Sequence, residues 1–306
     1  MSEQVRSGYA KSDDGTELYW RAVGTGPMLV CCNGVGVSTF FWRYLIEHFR
    51  DRYTVVVWDY RAHGRSRRAI DPLTADLSIG RHAEDLHAVL SAVTPDGDPV
   101  VLIGHSMGCQ VILEHDQRYP SQTLALIPML GTAGRAVDTF GDWSGSIYVF
   151  RAIRRLILSA GTLTPKLTRP LLHSPLAWPF TRTFKLMDPL YARREDLQHY
   201  VEHMASVDPR VFIESVMQLN QHDVWDKLPE IEAPTLIIAA ENDTFTPVWC
   251  ARKMASDIPT AELLILADAS HAALIEQPET INHRLERFFR EHVPATAASP
   301  ARLLSS

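Results

Sequence analysis

The chain has 306 residues, 46% of them hydrophobic, and carries a formal net charge of -6 at pH 7. This length can bury a sizeable core, either as one large α/β domain with an insertion or as two modest domains. The acidic balance argues against a general affinity for nucleic acid, and no apolar run approaches the length of a membrane-spanning helix.

Two further features of the composition bear on location. Residues 1–7 contain no apolar segment of the kind that signal peptides have. The four cysteines form neither a disulfide framework nor a C-x-x-C metal pair, which predicts buried free thiols in a reducing compartment. We therefore expect a cytoplasmic protein.

Short apolar runs alternate with amphipathic segments along the first half of the chain. Residues 8–22 alternate polar and apolar around a turn, which predicts a β-hairpin. Buried strands are then predicted at residues 28–32, 53–58, 100–103 and 124–130. Helices are predicted at residues 40–49, with Ser38 as the N-cap, at 79–93, and in a segment that Pro120 closes. Strands that alternate with helices indicate a parallel sheet, whose chemistry lies at the carboxyl ends of the strands.

The regular alternation stops in the middle of the chain and resumes near its end. Residues 135–221 are helical and irregular, and we interpret them as a helical cap inserted between two parts of a core, residues 1–134 and 222–293. The second part of the core has predicted strands at 234–240 and 263–266 and predicted helices from about 247 and over 278–292. Residues 294–306 are rich in Ala, Ser and Pro, which predicts a disordered tail.

The sequence GHSMG at residues 104–108 follows a predicted strand and leads into a helix. A serine hydroxyl becomes a nucleophile when it is lifted out of the backbone, gives its proton to a base and lies beside backbone N–H groups. Glycine at both ends removes side chains that would collide where the strand folds back, so the turn pushes Ser106 outward in a strained conformation. The start of the helix then directs free N–H groups at a developing oxyanion. We expect His105 to pack beneath this turn.

Two polar residues farther along the chain have the positions that a serine triad requires. Asp243 lies just past one late predicted strand and His271 just past the next, in the order serine, acid, histidine. Asp268, Glu241 and Asp226 are rival acids, of which Glu241 lies nearest, but Asp243 fits best. Without these partners the glycine-rich segment would be an ordinary turn with a buried serine.

Together these features resemble the α/β-hydrolase superfamily of serine hydrolases with a helical cap, over about residues 8–292. Residues 59–66 are similar to the D-x-R-G-x-G-x-S segment of that family, in which we expect Arg61 and His63 to hold the loop. Residues 234–247 are similar to its acid loop. The resemblance implies an α/β-hydrolase fold, with a mostly parallel, doubly wound sheet and an inserted helical cap.

By this resemblance Ser106 is the nucleophile, His271 is its general base and later the acid for the leaving group, and Asp243 orients His271. The oxyanion hole would consist of the backbone N–H groups of Met107 and Val35. The resemblance implies neither a metal nor an organic cofactor.

Departures from the pattern of the family include Asn33, Ala240 and Ala269. Asn33 stands where the family commonly has histidine before glycine. Asparagine at this position therefore affects the hydrogen bonding of the loop and which residue supplies the second N–H group of the oxyanion hole. It does not affect the triad.

The identity of the nucleophile narrows the predicted function. Haloalkane dehalogenases and epoxide hydrolases of this fold place aspartate at the elbow, so serine argues against both. We predict an esterase-like or lipase-like hydrolase that cleaves a small-molecule or lipid-like ester with an apolar acyl part through an acyl-enzyme. Lactonase, carbon–carbon hydrolase, perhydrolase and polyhydroxyalkanoate depolymerase chemistry are alternatives, the last because residues 33–36 are similar to intracellular depolymerases.

Two interpretations from other classes stay open. In a dinucleotide-binding oxidoreductase, Gly34 and Gly36 would contact the phosphates and Asp59, at the end of the next strand, would bind the ribose. However, Thr39 stands where the third glycine belongs, and this interpretation leaves the candidate triad unexplained. The second interpretation is a binding protein or lyase of the same fold that does not hydrolyse its ligand.

The predicted cap contains a run of positive charge. Residues 144–185 carry seven Lys and Arg and no Asp or Glu, in a protein of net negative charge. The simpler interpretation is a helix with one buried apolar face and one solvated basic face. The alternative is a weak contact of the cap with an anionic interface, or steering of a carboxylate-bearing or lipid-like substrate toward Ser106.

Overall fold

The computed structural model describes residues 4–67, 74–94, 96–143, 145–172 and 193–293. The strands are β1 (Val5–Lys11), β2 (Glu17–Gly24), β3 (Met28–Cys32), β4 (Thr54–Trp58), β5 (Val100–His105), β6 (Thr123–Met129), β7 (Thr235–Ala240) and β8 (Ala261–Leu266). They form one sheet in the order β1-β2-β4-β3-β5-β6-β7-β8. β2 runs antiparallel to both of its neighbours, and the other described pairs are parallel. The predicted hairpin and the mostly parallel sheet are therefore confirmed.

Helices cover both faces of this sheet. They are α1 (Arg43–Phe49), α2 (Ile79–Val93), α3 (Met107–Arg118), α4 (Ala136–Thr139), α5 (Ser146–Ala160), α6 (Thr164–Leu172), α7 (Arg194–Ser206), α8 (Pro209–Leu219), α9 (Val248–Asp257), α10 (Ala273–Glu276) and α11 (Pro278–His292). Along β5, Leu102 packs in a cluster with α2, α3 and α9, whereas Val101 and Ile103 pack in a second cluster with α1 and α11. Because both faces are covered, the central strands are continuous apolar runs.

The segment before α1 differs from the prediction. Thr39–Trp42 form a 3₁₀ turn, and the α-helix begins only at Arg43. Ser38 has extended backbone and its side chain makes no capping hydrogen bond, so the prediction of a Ser38 cap is wrong. The tertiary contacts of the turn set its conformation, because Trp42 is buried and donates its Nε1–H to Asn33 at 2.7 Å.

Helices occupy the described part of the predicted cap. α4 to α8 lie between β6 and β7, and the described residues of 135–221 contain no strand. The boundaries of the cap stay a prediction. Residues 173–192 and the predicted tail, 294–306, lie outside the described residues.

The cysteines and the helix lengths bear on two expectations from composition. All four cysteines are buried free thiols, as predicted. In the described ranges, each helix is too short or too polar to cross a lipid bilayer.

A buried ion cluster fastens the loop that follows β4. Arg61 is 1% exposed and donates to both carboxylate oxygens of Asp85 in α2 and to Asp14 in the hairpin turn, each at 2.7 Å. Ser12 also donates to Asp85 at 2.7 Å, and His63 donates its Nδ1–H to the carbonyl oxygen of Arg61 at 3.0 Å. The expectation that Arg61 and His63 hold this loop is confirmed.

Replacement of Asp85 by alanine should destabilise the fold strongly. The change leaves the buried guanidinium of Arg61 with Asp14 alone, and breaking a buried ion pair in this way costs about 3–5 kcal/mol of unfolding free energy. Urea unfolding at neutral pH measures the effect. Asp51→Ala, at an exposed position, is the control and should change the free energy by less than about 0.5 kcal/mol. Equal unfolding curves for the two variants would contradict the prediction.

Five histidines of the described chain have a pKa that burial lowers. The pKa falls to about 3 at His105 and to about 4 at His115 and His203, and it is also lowered at His63 and His82. The main cause in each case is the lost hydration of the charged imidazolium. These rings are therefore neutral in the folded protein at neutral pH.

The free energy of unfolding should fall as the pH drops from about 6.5 to about 4. In this window the unfolded chain binds protons at histidines whose ordinary pKa is 6.5, whereas the folded protein keeps them neutral. The contribution of these buried, neutral histidines to the free energy of unfolding is therefore fully present above this pH window. It is lost as the pH falls through the window. His115→Gln removes one such site, so the slope should become shallower by up to about 1.4 kcal/mol per pH unit. Urea unfolding across the window tests this, with His283→Gln at an exposed position as the control, and an unchanged slope in His115→Gln would refute it.

Candidate active site

Ser106 is the single residue between β5 and α3. Its backbone has φ +54° and ψ -117°, a conformation that residues other than glycine avoid. The turn is so tight that a Cβ at Gly104 would lie 2.3 Å from the carbonyl oxygen of Gly108. The predicted strained turn, with glycine required at its ends, is confirmed.

Ser106, His271 and Asp243 lie in one hydrogen-bonded row. Oγ of Ser106 is 3.0 Å from Nε2 of His271, and Nδ1 of His271 is 2.8 Å from Oδ2 of Asp243. A carboxylate only accepts hydrogen bonds, so Nδ1 carries the proton and donates to Asp243. Nε2 of the neutral ring then accepts from the serine hydroxyl. This arrangement can remove the proton from Ser106.

The loop after β7 fixes the carboxylate of Asp243. Oδ1 accepts from the backbone N–H groups of Phe245 at 2.8 Å and Thr246 at 3.0 Å, and Oδ2 accepts from Oγ1 of Thr246 at 2.8 Å. Asp243 is 5% exposed, whereas the three rival acids of the sequence are exposed to solvent. These three are Glu241, Asp226 and Asp268.

Two buried side chains outside the row hold the loop of His271. His105 is 1% exposed and donates its Nε2–H to the carbonyl oxygen of His271 at 3.0 Å. Glu276 is 7% exposed and accepts from both the backbone N–H and the hydroxyl of Ser270. The expected packing of His105 beneath the turn is confirmed, but its bond to His271 and the role of Glu276 were missed. The sequence signal that could have identified Glu276 is an acidic residue directly after the apolar run at residues 272–275.

The loop after β3 lies directly against the turn of Ser106. A Cβ at Gly34 would be only 3.1 Å from Cβ of Ser106. The backbone N–H groups of Val35 and Met107 donate to no acceptor within the described residues. Free N–H groups beside a nucleophile are what an oxyanion hole requires.

Asn33 joins this loop to its neighbours. The side chain is buried, donates Nδ2–H to the carbonyl oxygen of Trp58 at 2.8 Å and accepts from the indole of Trp42. The carbonyl oxygen of Asn33 also accepts from the hydroxyl of Tyr60 at 2.8 Å. The departure from the family pattern at this position thus serves to fix the loop to the end of β4.

Aromatic side chains lie beside the hydrogen-bonded row. The ring of Phe245 is 4.8 Å from that of His271, and the ring of Phe140 is 4.9 Å from that of Phe245. From the predicted cap, Phe212 packs on the loop after β3, where a Cβ at Gly36 would lie 2.9 Å from its ring. The surroundings of the row are therefore largely apolar.

The geometry argues against the dinucleotide-binding alternative. Asp59 is 5% exposed and accepts from the backbone N–H of Arg65 at 2.9 Å, within its own loop, and burial raises its pKa. A Cβ at Gly36 would lie 2.7 Å from the sulfur of Met204, so the predicted cap covers the glycine loop. Neither segment presents an open surface to a ribose or a pyrophosphate.

One cluster of metal-ligand residue types occurs in the described chain, away from the row. Ligand atoms of Glu262, Glu291 and His292 lie within 4.8 Å of one another. Glu262 is paired with Arg284 and His292, as in an ordinary surface ion cluster. Glu262 lies near the amino end of β8, whereas Ser106 follows the carboxyl end of β5. The cluster and Ser106 therefore lie at opposite ends of the parallel strands.

Comparisons with known proteins agree with this fold. A family model described as "Alpha/beta hydrolase family" matches residues 29–284. A protein of Azorhizobium caulinodans, named as a carbamate hydrolase, RutD, is 26% identical over 283 residues that cover 92% of this chain and 98% of the relative. A thermophilic esterase from Thermogutta terrifontis has a TM-score of 0.74 at 20% identity and covers 94% of this chain and 100% of its own. An enol-lactonase from Burkholderia xenovorans has a TM-score of 0.74 at 21% identity, with 92% and 100% covered. With the family model matched over most of its length, this chain belongs to the α/β-hydrolase family.

Proposed function

We propose that this protein is a serine hydrolase that cleaves a carboxylic ester with an apolar acyl part through an acyl-enzyme. The observation that carries the proposal is the row of two hydrogen bonds from Ser106 through His271 to Asp243. Membership of the α/β-hydrolase family supports hydrolysis as the reaction class. The buried free thiols support a cytoplasmic location.

In the proposed reaction, Oγ of Ser106 attacks the ester carbonyl while Nε2 of His271 takes the hydroxyl proton. Asp243 stabilises the imidazolium, and the N–H groups of Val35 and Met107 bind the tetrahedral oxyanion. Collapse breaks the ester C–O bond, and His271 gives its proton to the departing alcohol. His271 then deprotonates a water that attacks the acyl carbon, which releases the acid and restores the serine hydroxyl.

The side chains around the row support an apolar acyl group. Phe245 and Phe140 lie along the histidine side, and Phe212 and Met204 lie over the loop after β3. Burial of apolar substrate surface against such side chains contributes roughly 25 cal/mol per Å². A small-molecule or lipid-like ester therefore fits these surroundings better than a charged substrate.

A carbamate is the second candidate substrate, and the relative from Azorhizobium caulinodans favours it. The same serine attack and the same oxyanion apply, because a carbamate differs from an ester only by nitrogen beside the carbonyl. Nitrogen donates electron density and makes that carbonyl less electrophilic. The acceleration over the uncatalysed hydrolysis of each compound, compared between a matched ester and carbamate, therefore decides between the two.

A chain-length series of p-nitrophenyl esters, with one p-nitrophenyl N-alkylcarbamate of matched length, tests the proposed function. We expect kcat/KM to rise with acyl length and to favour the ester over the carbamate. Ser106→Ala should lose about 10⁴-fold or more, whereas Ser91→Ala, at an exposed serine of α2, should keep the wild-type rate. Purified protein that turns over no ester or carbamate and is not labelled by a fluorophosphonate would overturn the proposal.

Gly34→Ala should lower kcat/KM roughly tenfold or more while the protein stays folded. The added Cβ would lie 2.9 Å from Nδ1 of the buried His105 and 3.1 Å from Cβ of Ser106, so we expect the loop carrying Val35 to shift away from the position where the oxyanion forms. Gly80→Ala is the matched control, because it lies in α2 and the closest contact of its Cβ would be the side-chain end of the surface residue Arg118 at 2.9 Å. Rates are measured with the best ester of the series, and a folded Gly34→Ala protein with wild-type kcat/KM would contradict the assignment of Val35.

A further inference from the structure

Large apolar side chains that face solvent are concentrated on one part of the surface. Nine such side chains occur among the described residues, and six of them lie between residues 143 and 163. The six are Trp143, Tyr148, Val149, Ile153, Leu156 and Leu163. We call the outward side of α5 with its two flanking residues the α5 surface. Single exposed apolar residues are normal, but a cluster of this kind marks an interaction site.

The exposed residues of α5 include two rows on opposite flanks of its solvent-facing side. Val149, Ile153 and Leu156 have the spacing i, i+4, i+7 and share one row, in which Leu156 is 72% exposed. Arg151 and Arg155 have the spacing i, i+4 and share a second row, about 150° around the helix from the first. The exposed residues Tyr148, Ala152 and Ser159 lie between the two rows. The solvent side of this helix is therefore partly apolar, in contrast to the wholly basic solvated face of the simpler interpretation.

The charge of the α5 surface is positive and largely unpaired. Residues 145–172 carry five Lys and Arg and no Asp or Glu. Arg154 is paired with Glu214 at 2.7 Å, but Arg151 and Arg155 are exposed and form no ion pair within the described residues.

Three guanidinium groups line an open groove of approximately 580 Å³ along α5. The lining residues are Arg151, Arg154, Arg155, Leu158, Ser159 and Met217. The groove opens on the arginine flank of α5, and its lining includes no residue of the apolar row. Arginine donates several N–H groups in a fork that matches phosphate oxygens.

We propose that the α5 surface docks the protein on an anionic lipid bilayer. The row of Val149, Ile153 and Leu156 enters the boundary between headgroups and acyl chains, and Arg151 and Arg155 contact lipid phosphates. The solvent-facing side of α5 thus has an apolar flank and a basic flank, and both can contact one anionic lipid surface. A second copy fits less well, because a two-fold interface through the apolar row would leave Arg151 and Arg155, on the other flank, without an anionic partner.

Docking and hydrolysis use different sides of α5. The inward residue Phe150 lies 5.8 Å from Phe140, which packs beside Phe245 of the acid loop, whereas the docking rows face outward. Docking goes beyond the proposed function and does not depend on it. Ser106→Ala should therefore bind vesicles as the wild type does.

Flotation with lipid vesicles tests the docking. The wild type should float with phosphatidylcholine vesicles that contain phosphatidylglycerol at about 0.01 M salt, and less at about 1 M salt, where the screening length falls from roughly 30 Å to 3 Å. Pure phosphatidylcholine should retain little protein. Arg151→Gln/Arg155→Gln should lower the partition coefficient roughly tenfold or more.

Two further double variants complete the test. Ile153→Ser/Leu156→Ser should weaken binding to the anionic vesicles while hydrolysis of a soluble ester stays at the wild-type rate. Arg287→Gln/Arg290→Gln removes the same charge from exposed positions of α11 and should bind as the wild type does.

Four results would overturn the proposal. The first is the absence of flotation with anionic vesicles at low salt. The second is a loss of binding in the α11 variant that equals the loss in Arg151→Gln/Arg155→Gln. A third is a concentration-dependent dimer that Ile153→Ser/Leu156→Ser abolishes, because the α5 surface would then bind a second copy. The fourth is binding to soluble polyglutamate that is as tight as binding to the anionic vesicles and that Ile153→Ser/Leu156→Ser leaves unchanged. The arginines alone would then account for binding.

Discussion

The strained backbone of Ser106 is the constraint on which the rest of the site depends. A non-glycine residue at this φ costs about 1–3 kcal/mol, so the surrounding contacts must over-determine the turn. The N–H of Ser106 donates to Met129 of β6 at 3.0 Å, and its carbonyl oxygen accepts from Cys109 of α3 at 2.9 Å. Gly104 and Gly108 provide the space for this bend. The parallel sheet therefore stabilises the position from which the hydroxyl reacts.

Buried hydrogen bonds from three separate side chains hold the loop that carries His271. His105, next to Ser106 in the chain, donates to the backbone of His271, so the turn and the loop of the base move together. Burial keeps this ring neutral by lowering its pKa to about 3, so its single ring proton is the one on Nε2 that it donates. Glu276 and Asp243 fix the same loop through separate hydrogen bonds. The geometry of the base thus rests on a network of buried hydrogen bonds.

The predicted cap contributes two surfaces of different character. Its inner side brings Met204 and Phe212 over the loop after β3, which supports the proposal of an apolar acyl group. Its outer side, on α5, combines exposed apolar residues with Arg151 and Arg155, which form no ion pair within the described part of the chain, and this supports the proposal of an anionic lipid surface. One helical segment would then present an apolar substrate site inward and a lipid-binding face outward.

The sequence by itself determined the parallel sheet, the glycine-bounded turn and the order of serine, acid and histidine, because these depend on local periodicity and on glycine positions. It also favoured Asp243 over Glu241, although only the fold shows that the first is buried and bonded while the second is exposed. Ser38 was misassigned as a cap, because packing of Trp42 outweighs capping propensity there. The contacts of His105 and Glu276 and the outward apolar row of α5 were decided by tertiary structure alone, since they depend on which segments meet in space.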